Sequence, residues 1–151
     1  MVKKPSGAVV PTAEGVFILN YFDPRLTPDE LRAVSAIALA HMGDAVYELL
    51  VRTWLCAHGK ATGKELHRAT VALVCAPAQA EKVRKILPLL TDEEQAVFKR
   101  GRNANVHTMS RSATPAQYHA ATGLECLMGY LYLKGDKPRA EALFRAMMEE
   151  T

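Results

Sequence analysis

Apolar residues recur at helical spacing along most of the chain, whereas no segment alternates apolar and polar residues over a convincing strand length. The longest apolar pattern follows Ser35 and ends at His58-Gly59, and another follows Thr114-Pro115 and ends at Gly135. A hydroxyl residue before such a pattern is typical of a helix N-cap, and a glycine after it is typical of a helix end. The pattern therefore predicts two long apolar helices.

Shorter helices complete the predicted architecture. Thr27-Pro28 and Thr91-Asp92 each provide a hydroxyl N-cap followed, three residues after the cap, by a glutamate, which is typical of a capping box. Helices are predicted from these two starts and over residues 62–75, 77–87 and 137–149, with a polar loop over residues 104–113.

The chain has 151 residues, of which 49% are apolar, and this is ordinary for one domain. We expect a single all-α domain over residues 25–151, preceded by an N-terminal tail over residues 1–24. The three cysteines are an odd number without close pairs, which argues against a disulfide framework and indicates a reducing compartment. Because the N-terminal stretch has no signal-like or membrane-spanning apolar run, we expect a cytoplasmic protein without a membrane partner.

Positive charge is unevenly distributed along the chain. The net charge is only +3, but residues 95–124 include no acidic residue, while they include Lys99, Arg100, Arg102 and Arg111. Two interpretations stay open: a solvated helix face, or a surface that contacts phosphate groups.

Two carboxylates, Asp44 and Glu125, lie in the two long apolar helices, beside glycines that let helix backbones approach closely. A buried, ionised carboxylate persists only where a cation, a metal or several donors compensate its charge. If the two helices face each other, the carboxylates converge, and Mg²⁺ with its preference for oxygen ligands would relieve their repulsion. The alternative, in which each acid pairs with an arginine or caps a helix, also stays open.

Five segments then match known motifs in the correct order. They are residues 38–49 (ALAHMGDAVYEL), 63–68 (GKELHR), 78–80 (AQA), 99–104 (KRGRNA) and 122–133 (TGLECLMGYLYL). Together they resemble the catalytic domain of the ribonuclease III family, in its short form, Mini-ribonuclease III.

The resemblance implies an Mg²⁺-dependent endoribonuclease, a hydrolase that cuts double-stranded RNA as a homodimer and leaves 5′-phosphate ends. In this family the usual substrate is the precursor of large-subunit (23S) ribosomal RNA. By position, Asp44 and Glu125 match the family's catalytic, metal-binding acids. The RNA contacts expected from the matching segments and the adjacent basic loop are Lys64, His67, Gln79, Lys99, Arg100, Arg102, Asn103 and Arg111.

Some positions depart from the long form of the family or have more than one interpretation. Ala40 and Thr122 stand where the long form has two further acids, which leaves the number of metal ions open. Leu39, His41 and Met42 are expected to form an exposed apolar seam between protomers. Two of the expected RNA contacts have alternative interpretations: Gln79 as a helix-surface residue, and His67 as a packing or capping residue.

The sequence bears on two other classes of function. Residues 59–65 superficially resemble a phosphate-binding loop, but the glycines are too close and Glu65 replaces the required Ser or Thr, so no nucleotide cofactor is expected. The alternative to the nuclease is a non-catalytic module of the same fold that binds structured RNA during ribosome assembly.

Overall fold

The computed structural model describes residues 9–11, 17–59, 62–105 and 112–149. Its fold class is all-α, as predicted, with one short addition. Strands β1 (Val9–Pro11) and β2 (Phe17–Leu19) pair antiparallel in the segment predicted as a tail. The sequence pattern did not predict this pair, because such short strands leave no recognisable period-two pattern.

Seven α-helices follow the strands within the described residues, and a short 3₁₀ turn (Leu87–Leu89) lies between the fourth and fifth. They are α1 (Pro28–Ala33), α2 (Ala36–Ala57), α3 (Gly63–Val74), α4 (Ala76–Ile86), α5 (Asp92–Arg102), α6 (Pro115–Lys134) and α7 (Lys137–Met148).

The predicted helix ends are confirmed. Thr27 and Thr91 each accept a hydrogen bond from the backbone N–H of the glutamate three residues later, and each glutamate side chain accepts from the threonine N–H. Ser35 caps α2 through the N–H of Ala38. Gly135 ends α6 with φ +88°, a left-handed conformation that favours glycine.

Helix α6 forms the centre of the fold. It packs against α2, α4, α5 and α7, and from Ala121 to Leu131 every residue except Glu125 is buried. A helix that neighbours surround in this way is buried on all sides rather than along one stripe. None of the helices in the described ranges is both long and apolar enough to cross a membrane.

Helices α2 and α6 approach each other closely at two glycines. A Cβ on Gly43 would lie 1.5 Å from the carbonyl oxygen of Glu125, and a Cβ on Gly129 would lie 2.0 Å from the carbonyl oxygen of Leu39. Only glycine allows this separation of the backbones. The predicted close approach of the two long helices is therefore confirmed.

A buried ion pair joins α5 to α7. The guanidinium of Arg139 donates from Nε to Glu94 Oε1 at 2.8 Å and from Nη2 to Glu94 Oε2 at 2.9 Å. The Glu94 side chain is only 7% exposed, and Arg139 holds the pKa of this carboxyl below its usual value. Arg139 also donates to Leu89 O at 2.8 Å, so it ties the 3₁₀ turn to the same pair.

Candidate active site

Side chains from α2, α4 and α6 enclose a cavity of about 290 Å³. Asp44 and Glu125, which are distant in sequence, both line it. The close crossing of α2 and α6 brings them together, since Gly43 directly precedes Asp44 and faces the backbone of Glu125. The remaining lining residues are Ile37, Ala40, His41, Ala76, Gln79, Tyr118, Ala121 and Thr122.

Glu125 is the more deeply placed of the two acids. Its pKa is raised to about 7, first because burial disfavours the charged form and second because the Asp44 carboxylate repels it. A hydrogen bond from Gln79 acts in the opposite direction. The folded chain therefore compensates the charge of an ionised Glu125 only partly.

Asp44 is exposed within the single chain, at the mouth of the cavity, although its position in an apolar helix suggested burial. Its pKa is also raised, by partial burial and then by Glu48, while His41 lowers it. Glu48 pairs with Arg52 at 3.2 Å one turn further along α2. Neither cavity acid pairs with an arginine among the described ion pairs, so the arginine-pair alternative is not supported there.

Gln79 is placed differently from the prediction. It was expected to contact RNA, or else to lie on a helix surface, but its side chain is only 1% exposed. Its Nε2 donates to Val74 O at 2.8 Å and to Glu125 Oε1 at 3.3 Å. Because the end of α3 and the face of α6 enclose it, Gln79 contacts the acid of the cavity rather than a bound duplex.

The donor set suits a hard divalent cation with oxygen ligands. Two carboxylates of raised pKa share the cavity, and their oxygens are the ligands that such a cation prefers. Ala40 and Thr122, the positions of the long form's additional acids, also line it. No group of three or more His, Cys, Asp or Glu side chains with metal-ligand geometry occurs in the described part of the chain. The residues present thus fit an ion that retains several waters.

The other RNA-contact candidates lie outside the cavity lining. Lys99, Arg100 and Arg102 are exposed on the last turn of α5, and Asn103 follows as its exposed C-cap. Arg100 also donates from Nη2 to Val34 O at 2.6 Å, so part of its guanidinium is used within the fold. Lys64 and His67 are exposed on α3, whereas Arg111 lies outside the described residues.

The predicted dimer seam needs one correction. Leu39 is fully buried, since its backbone faces Gly129 of α6 and its side chain belongs to the core of the chain itself. His41 is exposed and borders the cavity, and Met42 is half-buried. The exposed apolar residue on this part of α2 is Ile37, which is 57% exposed.

Tyr118 is a cavity residue that the sequence analysis missed. It lies seven residues before Glu125, two helical turns away on the same face of α6. Helical spacing counted back from the acid would have found it.

A family model described as the Ribonuclease III domain matches residues 37–136, which include both acids. Mini-ribonuclease 3 of Symbiobacterium thermophilum is 44% identical over 110 residues, covering 73% of this chain and 85% of the relative. The chain belongs to the ribonuclease III family. As a ribonuclease III-type protein it is an endoribonuclease, a hydrolase of RNA.

Further comparisons agree with this family. Mini-ribonuclease 3 of Enterococcus faecalis is 41% identical over 116 residues, covering 76% of this chain and 88% of the relative. A crystal structure of a Fusobacterium nucleatum protein superposes with a TM-score of 0.72 and 30% identity, covering 79% of this chain and 97% of that one. The ribonuclease III helical domain is thus the fold of this chain.

Proposed function

We propose that the cavity between α2, α4 and α6 is the site at which this enzyme hydrolyses phosphodiester bonds of double-stranded RNA, with Mg²⁺ held by Asp44 and Glu125. The observation that carries the proposal is that two acids from separate helices line one cavity, where burial and then repulsion by Asp44 raise the pKa of Glu125. Such mutual repulsion is typical of a site whose charge is balanced by a ligand.

The two acids have different tasks in the proposed site. Glu125, which lies deeper, would offer one carboxylate oxygen to the ion, while Gln79 donates a hydrogen bond to the other. Asp44 lies at the mouth, where a bound phosphodiester would arrive. When bound there, Mg²⁺ would lower the pKa of water and stabilise the charge that develops on the phosphate, and cleavage would leave 5′-phosphate ends.

The basic end of α5 supports a double-stranded RNA substrate. An A-form duplex is bound mainly through phosphates and 2′-hydroxyls across its wide minor groove, which suits exposed cations near a helix end. Lys99 and Arg102 are exposed there, and Arg100 contributes the part of its guanidinium that Val34 does not occupy. From the family resemblance, we propose precursor large-subunit ribosomal RNA as the natural substrate.

We further propose that the enzyme acts as a homodimer. The exposed Ile37, together with His41 and Met42, provides the surface of α2 for this contact, now without Leu39. Each protomer would carry one cavity, so a dimer would cut both strands of a duplex.

The test is cleavage of end-labelled duplex RNA by the wild-type protein and by Asp44→Asn and Glu125→Gln, with Mg²⁺ and with EDTA. We expect cleavage only with Mg²⁺, and strongly reduced cleavage by both variants, while both still bind the duplex. Replacing Lys99, Arg100 and Arg102 together should weaken duplex binding, and wild-type binding should weaken steeply with salt. Duplex binding without any cleavage by the wild type would instead support the non-catalytic RNA-binding module.

A further inference from the structure

Gln79 has a hydrogen-bonding pattern that its position in the core does not require. Its Nε2 donates to two acceptors, the carbonyl oxygen of Val74 at the end of α3 and the carboxylate of Glu125 on α6. One buried amide therefore links three helices at the wall of the cavity.

The amide is oriented at a cost. Its carbonyl oxygen is buried without a hydrogen-bond partner among the described residues. The reverse orientation would bring this oxygen against the carbonyl of Val74 and the carboxylate of Glu125, which both accept hydrogen bonds. Buried polar groups are nearly always paired, so an unpaired acceptor beside a functional acid calls for an explanation other than stability.

We propose that Gln79 is a positioning residue, which holds the Glu125 carboxylate in the orientation that binds the divalent cation. This inference rests on the proposed function of the cavity. The amide nitrogen fixes Oε1 of Glu125 and leaves the other carboxylate oxygen for the ion. Gln79 itself is only 1% exposed, so it would act on the ion through Glu125.

The physical reason is the freedom of a glutamate side chain. Without a hydrogen bond, the Glu125 carboxylate would sample several rotamers, and only some of them would direct an oxygen toward the cavity. Partners that orient metal-binding carboxylates typically change metal affinity or activity about 10- to 100-fold when they are removed. The same range is expected for Gln79.

The test measures Mg²⁺ binding by titration calorimetry in the absence of RNA, for the wild type, Gln79→Met and Gln79→Leu. Both substitutions replace the amide by an apolar side chain of comparable size, so they remove the donor. We expect Mg²⁺ affinity to fall about 10- to 100-fold. In the cleavage assay at fixed Mg²⁺, kcat should fall while KM for the duplex stays unchanged.

A matched control is available on α5. Gln95 also donates from Nε2 to the carbonyl oxygen five residues before it, Leu90 O at 3.3 Å, but it does not line the cavity. Gln95→Leu therefore removes a similar hydrogen bond without touching Glu125. It should leave Mg²⁺ affinity and kcat at wild-type values.

Three results would overturn the inference. The first is wild-type Mg²⁺ affinity and kcat in folded Gln79 variants, and the second is an equal loss in Gln95→Leu. The third is failure of both Gln79 variants to fold while the control folds, because that would assign Gln79 a purely structural role. A wild-type protein that neither binds Mg²⁺ nor cleaves the duplex would refute the proposed function itself, before any variant is compared.

Discussion

Replacing Gly43 by alanine is expected to separate α2 from α6 and so to disrupt both the core and the cavity. The added Cβ would lie 1.5 Å from the carbonyl oxygen of Glu125 and 2.7 Å from the backbone nitrogen of Gly129. Both atoms belong to a helix backbone, which cannot rotate away as a flexible side chain can. The two helices must therefore move apart.

The size of the effect follows from these distances. Ordinary contact begins at 3.4 Å, so the backbones must part by about 2 Å at this point. Overpacking of a core costs about 1–3 kcal/mol and occasionally more, and we expect about 3 kcal/mol here because both neighbours are rigid. Alanine gains only about 1 kcal/mol over glycine in helix propensity. The clash should dominate, and Tm should fall by about 4–8 °C for a net loss of about 2 kcal/mol.

The assay is urea unfolding of the wild type, Gly43→Ala and the control Gly63→Ala, combined with Mg²⁺ titration. Gly63 begins α3, and a Cβ there would meet nothing within 4 Å. The control should be as stable as the wild type or slightly more stable. Gly43→Ala should also bind Mg²⁺ more weakly, since separation of the helices moves Asp44 away from Glu125.

A Gly43→Ala protein as stable as Gly63→Ala would refute this reasoning. So would a destabilised variant that keeps wild-type Mg²⁺ affinity, because the helix crossing would then not position the two acids.

Three other predictions concern pH, the buried ion pair and salt. Because folding raises the pKa of Glu125 from 4.5 to about 7, metal-free protein should lose about 3 kcal/mol of unfolding free energy as pH rises through this range. Urea unfolding in EDTA should show this loss in the wild type. An equal loss in Glu125→Gln would contradict the assignment to Glu125. Arg139→Leu leaves the Glu94 carboxylate buried without its partner, and should lower the free energy of unfolding by about 3–5 kcal/mol in urea. Arg145→Leu, at an exposed pair, should lower it by less than about 1 kcal/mol. Equal losses for the two variants would contradict the structure. Lys99→Ala should lower the salt dependence of duplex binding by about one unit in a log–log plot from filter binding, and an unchanged slope would remove Lys99 from the interface.

The local sequence pattern was sufficient for the helices and their ends. The hydroxyl caps at Thr27 and Thr91 and the left-handed stop at Gly135 act through residues a few positions away, so they can be recognised without knowing the fold. The approach of Asp44 to Glu125 was also predictable, because both lie in apolar helices next to glycines.

Contacts between distant elements were not predictable in the same way. Apolar periodicity shows that Leu39 is buried or interfacial, but it does not show whether α6 or a second protomer covers it. The Glu94–Arg139 pair joins helices whose mutual position no local signal encodes. Gln79 lies in a segment that resembles a family motif, so the sequence placed it near the site. Only the packing of α3, α4 and α6 shows that its amide contacts Glu125.

The most direct test of the central claim is a double-mutant cycle on Mg²⁺-dependent cleavage of duplex RNA, with Asp44→Asn, Glu125→Gln and the combined variant. If the two acids hold one ion, either substitution removes the function of the pair, and the combined variant should cleave no more slowly than the slower single variant. Single variants that each retain substantial activity, with losses that multiply in the combined variant, would contradict a shared magnesium site.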